Sequence, residues 1–184
     1  MVAPDIKFAS TPDGLTHEFN CLVPKSFKEK FEGLYEEQKG TTDLMVIDSK
    51  IKELNASSGN LITDYEYEMV SDSDVNIGVT FKHLFKSLKE PARYMKCKVR
   101  VQDGKLLVKV TDKIQTKLNI SKSHQRVPIS SLIAECIDCE NSDECKLSIR
   151  FVTTSSKTDI ANFDTVITFI TEGLYEAFEE ANSV

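Results

Sequence analysis

The amino-acid sequence predicts an α+β fold of mostly antiparallel sheet, with two internal helices packed on it and a C-terminal helix. Three observations carry that expectation. Several short runs alternate apolar and polar residues with a period of two, the mark of half-buried strands. Two other segments repeat apolar residues at helical spacing behind a capping residue. The order strand, helix, three strands can also be read twice, over 18–70 and again over 75–121.

A chain of 184 residues suits one domain with its own core, or two very small ones. It is 40% apolar and 28% charged, with seven glycines and five prolines, which excludes a disordered or fibrous chain. There is no run of about 18 apolar residues, so no membrane helix is expected. Residues 1–5 lack the basic and apolar regions of a secretory signal. Five cysteines, an odd number, point to free thiols in a reducing compartment, hence an intracellular protein, nuclear or cytoplasmic.

Residues 1–17, with Pro4, Pro12 and Asp13-Gly14, read as an irregular N-terminal arm. Phe19, Cys21 and Val23 share one face of a short strand ended by Pro24. Ser26 and Glu29 form a capping box, and Phe27, Phe31, Leu34 and Tyr35 make one face of the first helix, stopped at Gly40. Leu44 to Ile47 and Ile51 to Ala56 follow as strand candidates. Thr63, Tyr65, Tyr67 and Met69 then alternate with Asp64, Glu66 and Glu68.

Val75 to Val79 reads as a strand, and Thr80 as the cap of a second helix with Phe81, Leu84, Phe85 and Leu88 inward, stopped by Pro91. Met95, Cys97, Val99 and Val101 alternate with Lys96, Lys98 and Arg100, the clearest strand in the chain. Asp103-Gly104 is a hairpin turn, Leu106 to Val110 returns, and Leu118 with Ile120 marks a further strand. These elements make a domain over 18–126. Residues 127–184 supply a C-terminal strand and helix packed on it. Within them, 127–137 reads as a short helix or an edge strand, and Leu147, Ile149 and Phe151 as a strand. Asp164 caps the terminal helix, with a strand over 165–171 as its alternative.

Charge is distributed in three blocks. Residues 1–74 hold seven Lys/Arg against 15 Asp/Glu, 75–126 hold 13 against three, and 127–184 hold three against 11. A basic block inside an acidic chain either meets a polyanion or is neutralised by acidic flanks folding back on it. The candidate nucleic-acid-binding residues are Lys82, Lys86 and Lys89 on the polar side of the second helix, with Arg93, Lys96, Lys98 and Arg100 on the strand after it. Lysine and arginine suit that role because each one that meets a phosphate releases condensed counterions. Few aromatics are available for stacking, so contact with backbone rather than bases is expected.

No phosphate loop, nucleophile elbow, zinc-protease or dinucleotide motif is present, and no catalytic residue is assigned. His83 reads as a helix-surface histidine. Asp64, Glu66 and Glu68 share a strand face that offers a cation site or a solvated edge. Cys136, Cys139 and Cys145 have half the spacing of a zinc site and lack a fourth local ligand, so they read either as part of such a site or as a reduced acidic loop. Neither a metal nor a cofactor is assigned.

Strand, helix and three strands, twice, with lysines on the helices, resembles one domain of the sliding-clamp family of replication and checkpoint rings. The stretches Glu18 to Tyr35 and Asn76 to Ile120 carry the resemblance. It implies helices that approach the DNA backbone and a subunit that assembles into an oligomer. Met95-Lys96, Asp103 to Leu106, Lys109 to Asp112 and Lys157 to Asp159 resemble, more locally, the smaller Alu-domain subunit of signal recognition particle, which implies a basic sheet face on RNA. The expected function is therefore a non-catalytic clamp-like or scaffold subunit that contacts nucleic-acid backbone and protein partners. An assembly subunit whose basic face meets an acidic protein is the alternative, and a small enzyme stands third.

Overall fold

The computed structural model describes residues 5–29, 52, 62–71, 74–81, 91–140 and 142–155. Among them the protein is mostly antiparallel sheet. The chain divides into two compact units, the first made of Met1–Glu36, Gln102–Leu107 and Pro128–Val184, the second of Glu37–Val101 and Val108–Val127.

In the first unit, β1 (Lys7–Ser10) pairs with β2 (Thr16–Pro24), β2 with β9 (Glu144–Thr153), and β9 with β8 (Ile129–Asp138), every pair antiparallel. The β1–β2 turn needs Gly14, whose φ of 67° lies in the left-handed region. The Asp13 carboxylate fixes that turn by accepting the Leu15 N–H at 3.0 Å.

Register then decides the core. Phe19 stands opposite Ile149, Cys21 opposite Leu147 and Val23 opposite Cys145, while Ile149 and Leu147 face Ala134 and Cys136 on the other side. These side chains share one face, and Phe19, Val23, Cys145, Leu147 and Phe151 are buried in it. Phe27, from the helical residues 25–29, packs against the cluster of Cys21, Val23, Cys145 and Leu147. Each fully buried apolar side chain of this size contributes about 1.5–3 kcal/mol. His17 lies fully buried in the same row, its Nδ1 2.9 Å from the Ser10 hydroxyl and its Nε2 3.4 Å from that of Thr153.

In the second unit, β3 (Ile62–Ser71) pairs with β4 (Asp74–Phe81) and β4 with β5 (Arg93–Gln102), both antiparallel, and the two-residue β7 (Gln125–Arg126) runs parallel to β5. The turn from β5 into β6 (Lys105–Val110) has φ of 52° at Asp103 and 71° at Gly104, the paired positive values of a tight hairpin. Residues 111–124 form turns without a strand, held to β5 by the Thr111 N–H on the Lys96 carbonyl and anchored by buried Ile114.

Several expectations hold. The strands read around Phe19–Val23, Thr63–Met69, Val75–Val79, Met95–Val101, Leu106–Val110 and Leu147–Phe151 are all present, and residues 25–29 are helical where the first helix was expected to begin. Others are corrected. Residues 7–10 of the expected arm form β1, because β2 offers them an edge to pair with. Thr80 caps no helix: it lies inside β4, and its hydroxyl is 2.9 Å from that of Thr63. Residues 127–137, expected as a short helix or an edge strand, fall largely in β8, so the strand holds, whereas Leu118 with Ile120 makes no strand. Lys52, the described residue of the expected strand over 51–56, is helical. The rest of the first helix, the second helix beyond Phe81, the strand over 44–47 and the C-terminal helix lie outside the described residues. Val99, Val101 and Leu107 are half-buried.

Candidate functional site

The second unit is a two-faced sheet. Tyr65 stands opposite Val79, Tyr67 opposite Ile77 and Met69 opposite Val75, and across β4 the same three face Met95, Cys97 and Val99. Strand alternation therefore puts Tyr65, Tyr67, Met69, Val75, Ile77, Val79, Met95, Cys97 and Val99 on one face as three rows of three. Val79 and Cys97 are buried and the other seven are half-buried, so the face is a continuous apolar wall. Burial pushes the Cys97 thiol up to about 11, as expected where a thiolate would find no water.

The opposite face is polar. It carries Asp64, Glu66 and Glu68 from β3, Asn76, Gly78 and Thr80 from β4, and Tyr94, Lys96, Lys98 and Arg100 from β5. Residues 114–117 lie over part of it and leave a cleft of about 640 Å³ bordered by Glu66, Glu68, Asn76 and Gly78. The Lys117 N–H donates to both Glu66 carboxylate oxygens at 3.0 Å, and the Asn76 amide to Glu68 at 3.4 Å. Gly78 permits this approach, since a Cβ there would sit 2.9 Å from Leu118 Cδ1.

Of the basic residues singled out from the sequence, the four described ones do not share one face. Lys82, Lys86 and Lys89 lie outside the described residues. Lys96, Lys98 and Arg100 share the polar face, whereas Arg93 is an odd number of residues away and belongs to the apolar one. Arg100 grips Asp74 with two hydrogen bonds, Nε to Oδ1 at 2.6 Å and Nη2 to Oδ2 at 3.0 Å. That grip holds the Asp74 carboxyl below its ordinary range and raises the guanidinium. Arg126 pairs with Asp112 at 3.2 Å, and the same carboxylate accepts the Tyr94 hydroxyl at 3.3 Å. Burial, with Asp112 close by, raises the Tyr94 phenol. Part of the basic block is thus answered by carboxylates from the second unit itself.

The metal candidates are also accounted for separately. Cys145 is fully buried in β9, its thiol donating to Asp138 at 3.4 Å and raised by burial and by that carboxylate. Asp138 is itself held low by Lys28, whose ammonium lies 2.6 Å away, and by the Cys145 thiol. Cys136 and Cys139 are half-buried. Among the described residues no three His, Cys, Asp or Glu side chains converge as metal ligands. Also among them, no helix is long and apolar enough to cross a membrane.

The alternation that defines the wall was visible in the sequence, but the wall read as core, and the charged side of the same strands drew the functional reading.

No protein-family model matches the chain, and no curated protein matches it by sequence. Solved structures do match. Human StAR-related lipid transfer protein 5 superposes with a TM-score of 0.58 at 12% identity, over 97% of this chain and 88% of that one. Human STARD10 gives 0.55 at 8% identity, over 98% and 74%. The human StarD13 (DLC2) lipid transfer and protein localization domain gives 0.53 at 9% identity, over 97% and 85%.

The fold is therefore that of the StAR-related lipid-transfer domains. This overturns the sliding-clamp resemblance and the signal-recognition-particle resemblance alike, because the chain superposes over 97% of its length on a different fold, and Thr80, expected to cap a helix, lies within β4. The nucleic-acid clamp, the scaffold and the acidic-partner subunit fall with them. So does the expectation of an oligomer built on that role. Lys96, Lys98 and Arg100 lie on the polar side of a two-faced sheet, which needs polar residues there whatever the protein binds.

Proposed function

We propose that the protein binds a hydrophobic ligand of the lipid class, and that it does so without catalysis. The observation that carries this reading is the apolar wall of Tyr65, Tyr67, Met69, Val75, Ile77, Val79, Met95, Cys97 and Val99, backed by a mostly polar opposite face. Ligand sites of this kind are concave, mostly apolar and sparing with polar groups. The likeness over 97% of the chain to proteins named for lipid transfer supports the same class of ligand. Half-buried side chains on the wall leave area for a lipid to cover, at about 25 cal/mol per Å² removed from water. An intracellular setting belongs to this proposal, on the strength of five free cysteines.

The test is binding of Nile red, a neutral apolar dye, and its displacement by long-chain lipids. Ile77 stands at the centre of the wall, so Ile77→Asp is expected to abolish the fluorescence gain, while Lys98→Glu on the polar face leaves it intact. Equal loss in both variants, or no binding by the wild type, would sink the reading.

A further inference from the structure

We infer that the cleft on the polar face of the second unit is a separate binding site, and that its ligand is a small organic cation, an ammonium carried on an alkyl chain or ring. The cleft lies on the side of the sheet away from the apolar wall, so it stands apart from the lipid reading. Its volume of about 640 Å³ is that of a small-molecule site and far more than one metal ion would fill.

Three pieces of chain build the space. β3 gives one bank, with Glu66 and Glu68 neighbours on the polar face. β4 gives a low floor of Asn76 and Gly78; a Cβ on the glycine would stand 2.9 Å from Leu118 Cδ1 and 3.2 Å from the Thr116 hydroxyl. Residues 114–117 give the other bank, and buried Ile114 is the apolar part of the lining. The Lys117 N–H ties that bank to Glu66. Thr116 Oγ1 accepts the Leu118 N–H at 3.1 Å, which leaves its O–H to donate.

The charge of the lining is not balanced. Glu66 and Glu68 are met only by neutral donors, the Lys117 N–H and the Asn76 amide. Neither forms an ion pair among the described residues, whereas Asp74 and Asp112 of the same unit pair with Arg100 and Arg126. Lys96 and Lys98 share the face but stand two strands away, about 10 Å at the usual strand spacing. Lys117 also borders the cleft, so two negative charges face one positive, and one negative charge is left for a ligand to meet. Residues two apart on a strand are separated by about 7 Å, so an ammonium placed between Glu66 and Glu68 reaches both with short charge-assisted hydrogen bonds. Ile114 then covers the chain or ring that carries it.

The experiment titrates the full chain with dansylcadaverine, a fluorophore on a primary ammonium, and with dansylamide, which has the fluorophore without the ammonium. Dansylcadaverine should bind at least about tenfold more tightly, the effect of one charge-assisted contact. Glu68→Gln, at an exposed position, should remove that advantage and Glu68→Asp should keep part of it. Asp64→Asn, on the same strand but outside the cleft, should leave it unchanged, as should excess oleic acid directed at the wall. Equal binding of the two probes, or no binding, overturns the inference. Equal loss in Asp64→Asn and Glu68→Gln also overturns it, because the attraction is then diffuse surface charge. Displacement by oleic acid overturns it by placing the probe on the wall, and displacement by excess magnesium chloride overturns it in favour of a metal ion.

Discussion

Phe151 gives the sharpest test of where the core lies. It is 4% exposed in β9, its ring centre 6.1 Å from that of Phe19 and 5.0 Å from that of His17. Truncation to alanine removes the whole ring from between two partners that strand pairing holds in place, so the space cannot close. A buried Phe→Ala change costs about 3–5 kcal/mol. Against a total stability of about 5–15 kcal/mol, that is a large fraction of the whole. For a domain of this size, each kcal/mol moves the melting temperature by about 2–4 °C, which gives a fall of about 6–20 °C. The chain has no tryptophan, so far-ultraviolet circular dichroism in urea is the suitable probe. Leu22→Ala is the internal control: Leu22 lies on the neighbouring strand but is 53% exposed, and its loss is expected to cost about 0.5 kcal/mol or less. If Leu22→Ala proved as costly as Phe151→Ala, the register that puts Phe19 and Phe151 on the buried face would be wrong.

Three further outcomes follow from the same contacts. At Gly78 a new Cβ meets the mobile end of the Leu118 side chain at 2.9 Å, so Gly78→Ala should cost about 1 kcal/mol, whereas Gly78→Val should cost up to about 3 kcal/mol and speed limited proteolysis within 114–118. The Asp138 carboxyl is held below its ordinary value by Lys28, so the stability it adds is present at neutral pH and is lost as pH falls below about 4 through the lowered folded value; Asp138→Asn should flatten that acid limb in urea titrations. Burial pushes the Cys21 and Cys97 thiols up to about 11, so at pH 8 a thiol reagent should label half-buried Cys139 first and reach Cys21 and Cys97 only with denaturant; rapid native labelling of Cys97 would contradict its burial.

Where alternation was long, the sequence was a reliable guide. Met95 to Val101 and Thr63 to Met69 each repeat the period of two at least three times and both are strands; the expected faces hold from Tyr65 on, while a register shift at Ile62/Asp64 turns the Thr63 hydroxyl to that of Thr80. Asp103-Gly104 likewise announced a turn that only residues tolerant of positive φ can make. The failures share a physical cause, which is that the deciding partner is distant in sequence. Thr80 ahead of Phe81 has the local chemistry of a helix cap, but its hydroxyl reaches the Thr63 hydroxyl and the Asp64 carbonyl on the paired strand. Residues 7–10 have no strand pattern of their own and become one only through their register with 17–20. Leu118 serves to pack over Gly78, a role that two apolar residues at spacing two do not reveal. The charge blocks were legible too, yet the partners of Arg100 and Arg126 lie at Asp74 and Asp112, and pairing across the second unit is what converts a basic segment into an ordinary sheet surface.

The strand β5 concentrates the whole question. Lys96, Lys98 and Arg100 on one side and Met95, Cys97 and Val99 on the other are a single pattern, and each side depends on the other. A sheet that must keep one face dry needs its other face wet, and long cationic side chains supply that while their aliphatic stems cover backbone. Charge alone therefore has little power to identify a ligand, because the fold requires it in any case.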